Sequence, residues 1–230
     1  MNASRDPTNS GVKAKASDQP AINHSEQGAH EGIFFIAGLG ASAGGLEAFE
    51  EFFEKLPPDT GIGYVIVTHM DPTKKGIMPE LIQRSTRMPV VQAEDNMAVE
   101  PDHVYVIPPN RDMTISGGVL KLHPLSTEKG VRMPIDIFLR SLAGDRREMA
   151  IAVIFSGMGT DGMLGVKTIK EENGTVMAQD PLEAKFNSMP QSAINTGMVD
   201  YVAPAYDLPK ELVEFGKNYE RLLRKSEAER

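Results

Sequence analysis

The 230-residue sequence contains no cysteine, which excludes disulfides, thiolate metal sites and a cysteine nucleophile. It also lacks any apolar run of the roughly 18 residues that a membrane-spanning helix needs, and its N-terminus has no signal-peptide core. The net charge is −8 and the basic residues are not clustered. This disfavours nucleic acid and anionic membranes as partners, because both attract basic surfaces. Together these absences favour a cytoplasmic globular protein.

Large apolar side chains are nearly absent from the first 31 residues, which are rich in Asn, Ser, Asp, Gln, Lys and Gly. Such a segment cannot bury enough surface to offset its loss of chain entropy. We therefore expect a disordered tail over 1–31. Apolar and glycine-rich segments predict one folded domain over 32–206, and the pattern that follows predicts a C-terminal helix or linker over 207–230.

The predicted domain alternates strands with helices. The strand patterns IFFIAGLG, GYVIVTHM and VVQA are separated by the helical patterns GGLEAFEEFFEKLP and PELIQRSTRM. Later, the strand MAIAVIF leads through a glycine-rich turn into the helical pattern GMLGVKTIKEEN. This alternation predicts an α/β fold with a doubly wound, mostly parallel sheet and helices on both faces.

The middle of the chain departs from this alternation. The segment HVYVIPPNRDMTISGGVLKLHP reads as strands joined by turns at Pro108-Pro109-Asn110 and at Gly117-Gly118. Consecutive strands with short turns are typical of antiparallel hairpins. We therefore predict a small antiparallel hairpin insertion over the whole of this segment.

Three predicted strand ends carry chemically competent side chains. Ser42 follows the first strand, His69 ends the second, and Asp161 follows the strand MAIAVIF. Ligands of open parallel sheets bind beyond the carboxyl ends of the strands, so these side chains are expected to meet. Together they form the set of a serine hydrolase, with Ser42 as nucleophile, His69 as base and Asp161 as orienting acid.

The segment GASAG, with Ser42 at its centre, matches G-x-S-x-G between a strand and a helix. A helix start there would supply backbone N–H groups to an oxyanion. Two other interpretations stay open. Ser42 could be the N-cap of the helix, and GLGASA matches the dinucleotide fingerprint G-x-G-x-x-A. The fingerprint usually comes with an acidic residue at the end of the second strand, where this chain has His69.

The other two residues also have structural interpretations. His69 could satisfy local hydrogen bonds, and Asp161 could be the N-cap of the helix that follows it. Asp136, inside a predicted helix, is a competing acid. The turn before Asp161 offers the Met158 N–H to the same crevice. There is no His-x-His or HExxH spacing, so we predict neither a metal site nor a cofactor.

These motifs occur together in a known family. The glycines around Ser42, the HM pair that starts at His69, GMGTDG around Asp161 and the later SMPQSAINTGMVDYV resemble the catalytic domain of the CheB-type protein-glutamate methylesterases. The resemblance covers nearly all of the predicted domain. It implies a doubly wound α/β fold and a methylesterase catalytic domain over 32–206.

Members of this family hydrolyse glutamyl methyl esters on methyl-accepting chemotaxis receptors and release methanol, and many also deamidate receptor glutamines. The resemblance implies cytoplasmic work in chemotaxis signalling, with these receptors as partners and without a cofactor. It also implies a receptor methyltransferase, fused or separate, as a further partner. By motif, Ser42, His69 and Asp161 take the triad roles, and the backbone N–H groups of Met158 and Ala43 form the oxyanion hole.

The sequence departs from the family pattern in two places. Ala43 stands where many members have Thr, so a hydroxyl contact is lost. Many members carry an N-terminal receiver domain, which the segment 1–31 is too short to hold, so we expect no control by aspartyl phosphorylation within this chain. For the substrate groove, we expect Arg132, Met189 and Pro190 as lining residues.

Overall fold

The computed structural model describes residues 34–68, 77–125 and 132–228. The tail predicted over 1–31 and the candidate base His69 lie outside these ranges. Within them, strands and helices alternate along the chain largely as the sequence predicts.

Seven of the strands form one parallel sheet, and three form a separate antiparallel sheet. In chain order, the strands of the described ranges are β1 (Ile36–Ala41), β2 (Gly63–Thr68), β3 (Val90–Gln92), β4 (Met97–Ala98), β5 (Val104–Val106), β6 (Arg111–Ser116), β7 (Val119–Pro124), β8 (Ala150–Ile154), β9 (Thr175–Gln179) and β10 (Tyr201–Ala203). The parallel sheet has the order β10-β9-β8-β1-β2-β5-β3. β1 and β8 are therefore neighbours near its middle, which is where the loops that follow them can meet.

Helices cover both faces of the parallel sheet. They are α1 (Gly45–Lys55), α2 (Ile77–Gln83), α3 (Pro134–Arg146), α4 (Met163–Glu171), α5 (Ser188–Ile194) and α6 (Leu208–Ala228), with a short 3-10 helix at Arg147–Met149. Buried side chains of α1, α2 and α6 form one apolar core with the sheet. Those of α3, α4 and α5 form a second core on the opposite face, together with the antiparallel sheet. The predicted doubly wound α/β fold is confirmed.

The antiparallel sheet is smaller than the sequence predicts. It contains β4, β7 and β6, and the turn between β6 and β7 lies at Gly117 and Gly118, as expected. The segment HVYVI, by contrast, forms β5 between β2 and β3 of the parallel sheet. The antiparallel prediction was wrong there. The physical reason is that Val104, Tyr105 and Val106 are all buried, as side chains of a strand covered on both faces must be.

The glycines of β1 determine how closely α3 packs on the sheet. A Cβ at Gly38 would lie 2.7 Å from Leu139 Cδ2, and one at Gly40 would lie 2.6 Å from Ile135 Cγ2. α3 therefore rests directly on the β1 backbone. Because Ile135 lies by the later glycine and Leu139 by the earlier one, α3 runs antiparallel to β1. Its N-terminus thus comes to the carboxyl end of the sheet.

The predicted C-terminal helix packs against the core through its first turns. Leu208 and Leu212 are fully buried. The ring of Phe35 makes edge contacts with Phe215 at 5.4 Å and with Tyr219 at 5.0 Å between centroids. None of the helices in the described ranges is long and apolar enough to cross a membrane.

Candidate active site at the carboxyl ends of β1 and β8

Ser42 lies in the tight turn between β1 and α1. β1 ends at Ala41 and α1 begins at Gly45, so only three residues connect them. Gly44 has a φ of 71°, in the left-handed region that side chains with a Cβ avoid. A Cβ at Gly44 would also lie 2.9 Å from Ser156 Oγ. The last glycine of GASAG therefore provides the sharp turn, while Ser42 itself has no positive φ.

The helix-cap interpretation of Ser42 is wrong. The N-cap of α1 is Gly44, and no side chain makes a capping hydrogen bond at that end. The carbonyl of Ser42 accepts the Gly45 N–H at 3.0 Å, so the backbone rather than the hydroxyl of this serine closes the turn. Ser42 is half-buried at the carboxyl end of the sheet, where its hydroxyl is not used as a cap.

The dinucleotide interpretation of GLGASA also fails on geometry. In that motif the glycines form the turn that leads into the helix, so that a pyrophosphate can sit on the helix N-terminus. Here Gly38 and Gly40 lie inside β1, and α1 starts five residues after Gly40. Both glycines are used to receive α3.

The turn that carries Ser42 is attached to the end of β8 through Ser156. The Ser42 N–H donates to the Ser156 carbonyl at 3.0 Å. The Ser156 hydroxyl donates to the Ala43 carbonyl at 2.9 Å and accepts the Phe186 N–H at 3.0 Å. Ser156 is 1% exposed. One buried residue therefore holds the backbone on both sides of the Ser42–Ala43 peptide.

The loop after β8 passes directly beside Ser42. A Cβ at Gly157 would lie 3.0 Å from Ser42 Cβ, so a side chain at this position would crowd Ser42. The next side chain, Met158, is 62% exposed. Within the part of the chain that the structure describes, neither the Met158 N–H nor the Ala43 N–H has a hydrogen-bond partner. Two backbone donors are thus available next to the candidate nucleophile.

Asp161 ends this loop and is 4% exposed. Its carboxylate accepts the N–H groups of Ile135 at 3.1 Å and Asp136 at 2.9 Å, both in the first turn of α3, and that of Gly162 at 2.9 Å. The N-cap of α4 is Gly162, without a side-chain capping bond. The alternative interpretation of Asp161 as the N-cap of the helix that follows it is therefore wrong, because Gly162 holds that position and two of the three N–H groups that the carboxylate accepts belong to α3.

The competing acid, Asp136, is a second buried carboxylate, 4% exposed. Its Oδ1 accepts the Gly165 N–H of α4 at 2.7 Å, and its Oδ2 has no partner among the described residues. Burial raises the pKa of Asp136, and the nearby charge of Asp161 raises it further. Both features favour its neutral form more than in an exposed aspartate.

The position of β2 is relevant to the third predicted residue, His69, although that residue lies outside the described ranges. Thr68, the last residue of β2, pairs with Ala41 at the end of β1. The strands that precede Ser42 and His69 in the sequence therefore end at the same level of the sheet. The role of His69 as the base stays a prediction.

Two of the expected groove residues do not line a surface. Met189 is 1% exposed and lies beneath the loop after β8, where its Sδ would be 2.6 Å from a Cβ at Gly157. Pro190 is buried as well. Arg132 is half-buried and forms an ion pair with Asp112 at 3.1 Å. The prediction that Met189 and Pro190 line the groove was wrong, because these apolar side chains at the start of α5 are buried in the core.

Sequence reasoning missed the serines that fix the site. Besides Ser156, Ser188 at the start of α5 contacts the loop after β8, accepting the Gly159 N–H at 3.1 Å and donating to the Gly157 carbonyl at 3.2 Å. Gln179, 3% exposed at the end of β9, accepts the Ser156 N–H at 2.8 Å. The signal that could have found Ser156 and Gln179 is a polar residue at the end of an apolar strand pattern, and Ser188, at the start of α5, carries no such signal.

In the described ranges, no three His, Cys, Asp or Glu side chains are grouped so that they could hold a metal ion. The two buried carboxylates next to the loop after β8 are instead engaged with helix N–H groups.

The fold and site define an α/β protein with a serine-bearing turn at the carboxyl end of a parallel sheet, beside two backbone donors that have no hydrogen-bond partner among the described residues. The family model described as CheB methylesterase matches residues 37–212. The chain belongs to the CheB methylesterase family.

Two relatives are similar to this chain over part of their own length. A Pyrococcus horikoshii protein-glutamate methylesterase/protein-glutamine glutaminase is 32% identical over 180 residues, 76% of this chain and 49% of that protein. An uncharacterized 104.1 kDa protein of Rhodobacter capsulatus is 43% identical over 123 residues, 54% of this chain and 13% of that protein. The chain thus spans half or less of the length of these two relatives.

A solved structure matches the fold. The crystal structure of the Thermotoga maritima CheB methylesterase catalytic domain superposes with a TM-score of 0.73 and is 32% identical, covering 79% of this chain and 98% of that chain. The match therefore extends over a whole catalytic domain of the family.

Proposed function

We propose that this chain is a serine hydrolase that removes methyl groups from glutamyl methyl esters of methyl-accepting chemotaxis receptors and releases methanol. The same site would deamidate receptor glutamines, with ammonia as the leaving group. Family membership supports the reaction class. The observation that carries the proposal is the position of Ser42 beside the unbonded N–H groups of Ala43 and Met158.

In the proposed reaction, His69 takes the proton of the Ser42 hydroxyl as its oxygen attacks the ester carbonyl. The carbonyl oxygen becomes an oxyanion, which the Ala43 and Met158 N–H groups stabilise. His69 then returns the proton to the departing methoxide, and methanol leaves. A water molecule, deprotonated by His69, then attacks the glutamyl-enzyme carbonyl. His69 returns this proton to the Ser42 oxygen as the acyl bond breaks, which frees the glutamate carboxyl group and restores Ser42.

Asp161 is proposed to orient His69 and to stabilise its charged form. Its carboxylate is buried and fixed by three backbone N–H groups. A carboxylate that is held in one rotamer can select one imidazole tautomer. This is the role of the acid in a catalytic triad. Asp136 fits this role less well, because it lies within α3 and binds the start of α4.

The proposed setting is the cytoplasm, with chemotaxis receptors as substrates and a receptor methyltransferase, fused or separate, supplying the esters. No organic cofactor or metal is part of the proposed chemistry. The chain carries a net charge of −8. Long-range attraction to an acidic receptor helix would therefore be weak, and recognition would depend on contacts near the site.

The decisive assay is methanol release from methyl-esterified receptor, with wild-type protein compared with Ser42→Ala. We expect Ser42→Ala to abolish release while the melting temperature stays close to wild type. Ser116→Ala, at the exposed end of β6, is the control and should retain full activity. Wild-type turnover by Ser42→Ala would refute the serine mechanism. If wild-type protein binds receptor without methanol release, the chain is a non-catalytic signalling module.

A further inference from the structure

The directions of the two proposed oxyanion donors are set by the peptide units to which they belong. A trans peptide is planar, and its N–H points away from its C=O. The Ala43 N–H shares a peptide with the Ser42 carbonyl, which accepts the Gly45 N–H. The Met158 N–H shares a peptide with the Gly157 carbonyl. A group that binds one of these carbonyls therefore fixes the direction of the N–H in the same peptide unit.

Ser156 fixes the surroundings of the Ala43 donor. Its backbone carbonyl accepts the Ser42 N–H, one position before the donor, and its hydroxyl donates to the Ala43 carbonyl, one position after it. Counting partners among the described residues, the Ala43 N–H is then the one backbone group of Ser42 and Ala43 without a hydrogen bond. The hydroxyl is buried and bonded also to Phe186, so its rotamer is fixed.

Ser188 fixes the surroundings of the Met158 donor. Its hydroxyl donates to the Gly157 carbonyl at 3.2 Å and accepts the Gly159 N–H at 3.1 Å. It therefore bridges the residues on either side of Met158. The Met189 N–H also donates to the Gly157 carbonyl, at 3.0 Å. The carbonyl side of this peptide is tied to α5, which leaves its N–H on the opposite side.

We propose that Ser156 and Ser188 are positioning residues that hold the two oxyanion donors, Ser156 for Ala43 and Ser188 for Met158. This inference rests on the proposed function. Neither hydroxyl touches the reacting atoms in this account. Ser188 acts through the Gly157–Met158 peptide, whose N–H would bind the oxyanion. Ser156 acts through the Ala43 carbonyl, in the peptide that directly follows the Ala43 N–H.

The role predicts a specific kinetic signature. The oxyanion exists in the transition state and not in the bound ester, so loosening its donors lowers kcat and leaves KM nearly unchanged. Removing a donor outright costs about 100- to 1,000-fold in kcat. A misdirected donor retains part of its effect. We therefore expect Ser188→Ala and Ser156→Ala each to lower kcat about tenfold, below the cost of donor loss.

The experiment measures kcat and KM for methanol release from methyl-esterified receptor by wild type, Ser188→Ala, Ser188→Thr and Ser156→Ala. Ser188 is exposed, so its alanine variant should fold normally, as thermal denaturation would verify. Ser188→Thr retains the hydroxyl and should recover most of the kcat. The control is Ser141→Ala. The Ser141 hydroxyl likewise accepts one N–H and donates to one carbonyl, but it joins α3 to β6.

The expected result is a loss of kcat in both alanine variants, rescue by threonine at 188, and wild-type kinetics for Ser141→Ala. A kcat for Ser188→Ala within about twofold of wild type, or an effect on KM alone, would overturn the inference while a Ser42-dependent wild-type activity preserves the proposed function. Absence of Ser42-dependent methanol release from wild-type protein would instead refute the proposed function, and the inference with it.

Discussion

The backbone N–H of Asp136 donates a hydrogen bond to Oδ1 of Asp161 at 2.9 Å. The relationship is nearly reciprocal. The Asp161 carboxylate accepts N–H groups from the first turn of α3, and the Asp136 carboxylate accepts the Gly165 N–H from the first turn of α4. The Asp161 carboxylate lies at the N-terminus of α3, the helix that contains Asp136. The Asp136 carboxylate lies at the N-terminus of α4, the helix that follows Asp161. Both carboxylates therefore lie at the positive end of a helix dipole. The two helix starts are thereby locked together next to the loop that carries Met158.

This arrangement gives Asp161→Asn two consequences. Both carboxylate oxygens accept backbone N–H groups, and the amide of Asn offers one acceptor oxygen only. We expect a loss of about 1–3 kcal/mol in the free energy of unfolding, because a buried N–H loses its partner. If Asp161 also orients His69, kcat should fall by at least about two orders of magnitude, a cautious floor for loss of a triad aspartate.

Asp145→Asn separates these two effects of Asp161→Asn. Asp145 lies at the end of α3, and its carboxylate also accepts backbone N–H groups, from Gly117 and Gly118. We expect a comparable loss of stability in urea denaturation but an unchanged kcat for methanol release. Should Asp161→Asn lose stability yet turn over at the wild-type rate, Asp161 has only a structural role and the acid must be sought elsewhere.

The second buried carboxylate predicts a pH dependence of stability. Burial and the nearby Asp161 raise the pKa of Asp136 in the folded protein. The folded state therefore holds this proton more tightly than the unfolded state, in which the pKa is about 3.9. The stabilisation of the folded protein by the protonated Asp136 carboxyl group is fully present below the pKa of the unfolded state. It is lost as the pH rises through the raised pKa of the folded state.

Asp136→Asn removes this titration, and the amide oxygen can still accept the Gly165 N–H. Relative to wild type, the variant should gain in free energy of unfolding as the pH rises from 4 toward neutrality. Urea denaturation of both proteins across this range gives the difference directly, since the other carboxylates are common to both. Curves that stay parallel throughout would contradict the raised pKa of Asp136.

The turn at Ser42 predicts a sharp contrast between two glycines with the same φ of 71°. Alanine at Gly61 meets no atom within 4 Å, so Gly61→Ala should cost only the left-handed backbone strain, about 1–2 kcal/mol. Alanine at Gly44 would also press on Ser156 Oγ and Lys185. Gly44→Ala should therefore lose more stability in urea denaturation and lower kcat. Equal stability losses in the two variants would argue against a tightly packed turn.

The sequence could predict what depends on local pattern. The alternation of apolar runs and helical periodicity was sufficient for the doubly wound fold, and GASAG between strand and helix was sufficient to locate the turn at Ser42. It could not predict that Asp161 binds α3, because that contact joins residues 25 and 26 positions apart. Ser156 and Ser188 were missed for the same reason: their partners are chosen by the packing of β1, β8 and α5.

The strand β5 shows why strand direction is hard to predict from sequence. The sequence places HVYVI in the antiparallel insertion because proline and glycine turns follow it. Its assignment to the parallel sheet depends on burial of both faces, which follows from the covering helices and the antiparallel sheet. A short apolar run carries no directional information of its own, so its partner strands had to come from the three-dimensional structure.

The most direct test of the central claim is to label wild-type protein with a fluorophosphonate and map the adduct by peptide mass spectrometry. Such reagents react with a serine whose hydroxyl is activated by a neighbouring base and whose oxyanion is stabilised. We expect a single adduct on Ser42, lost in Ser42→Ala and strongly reduced in His69→Ala. An adduct on another serine, or labelling of Ser42→Ala at the wild-type rate, would contradict this claim.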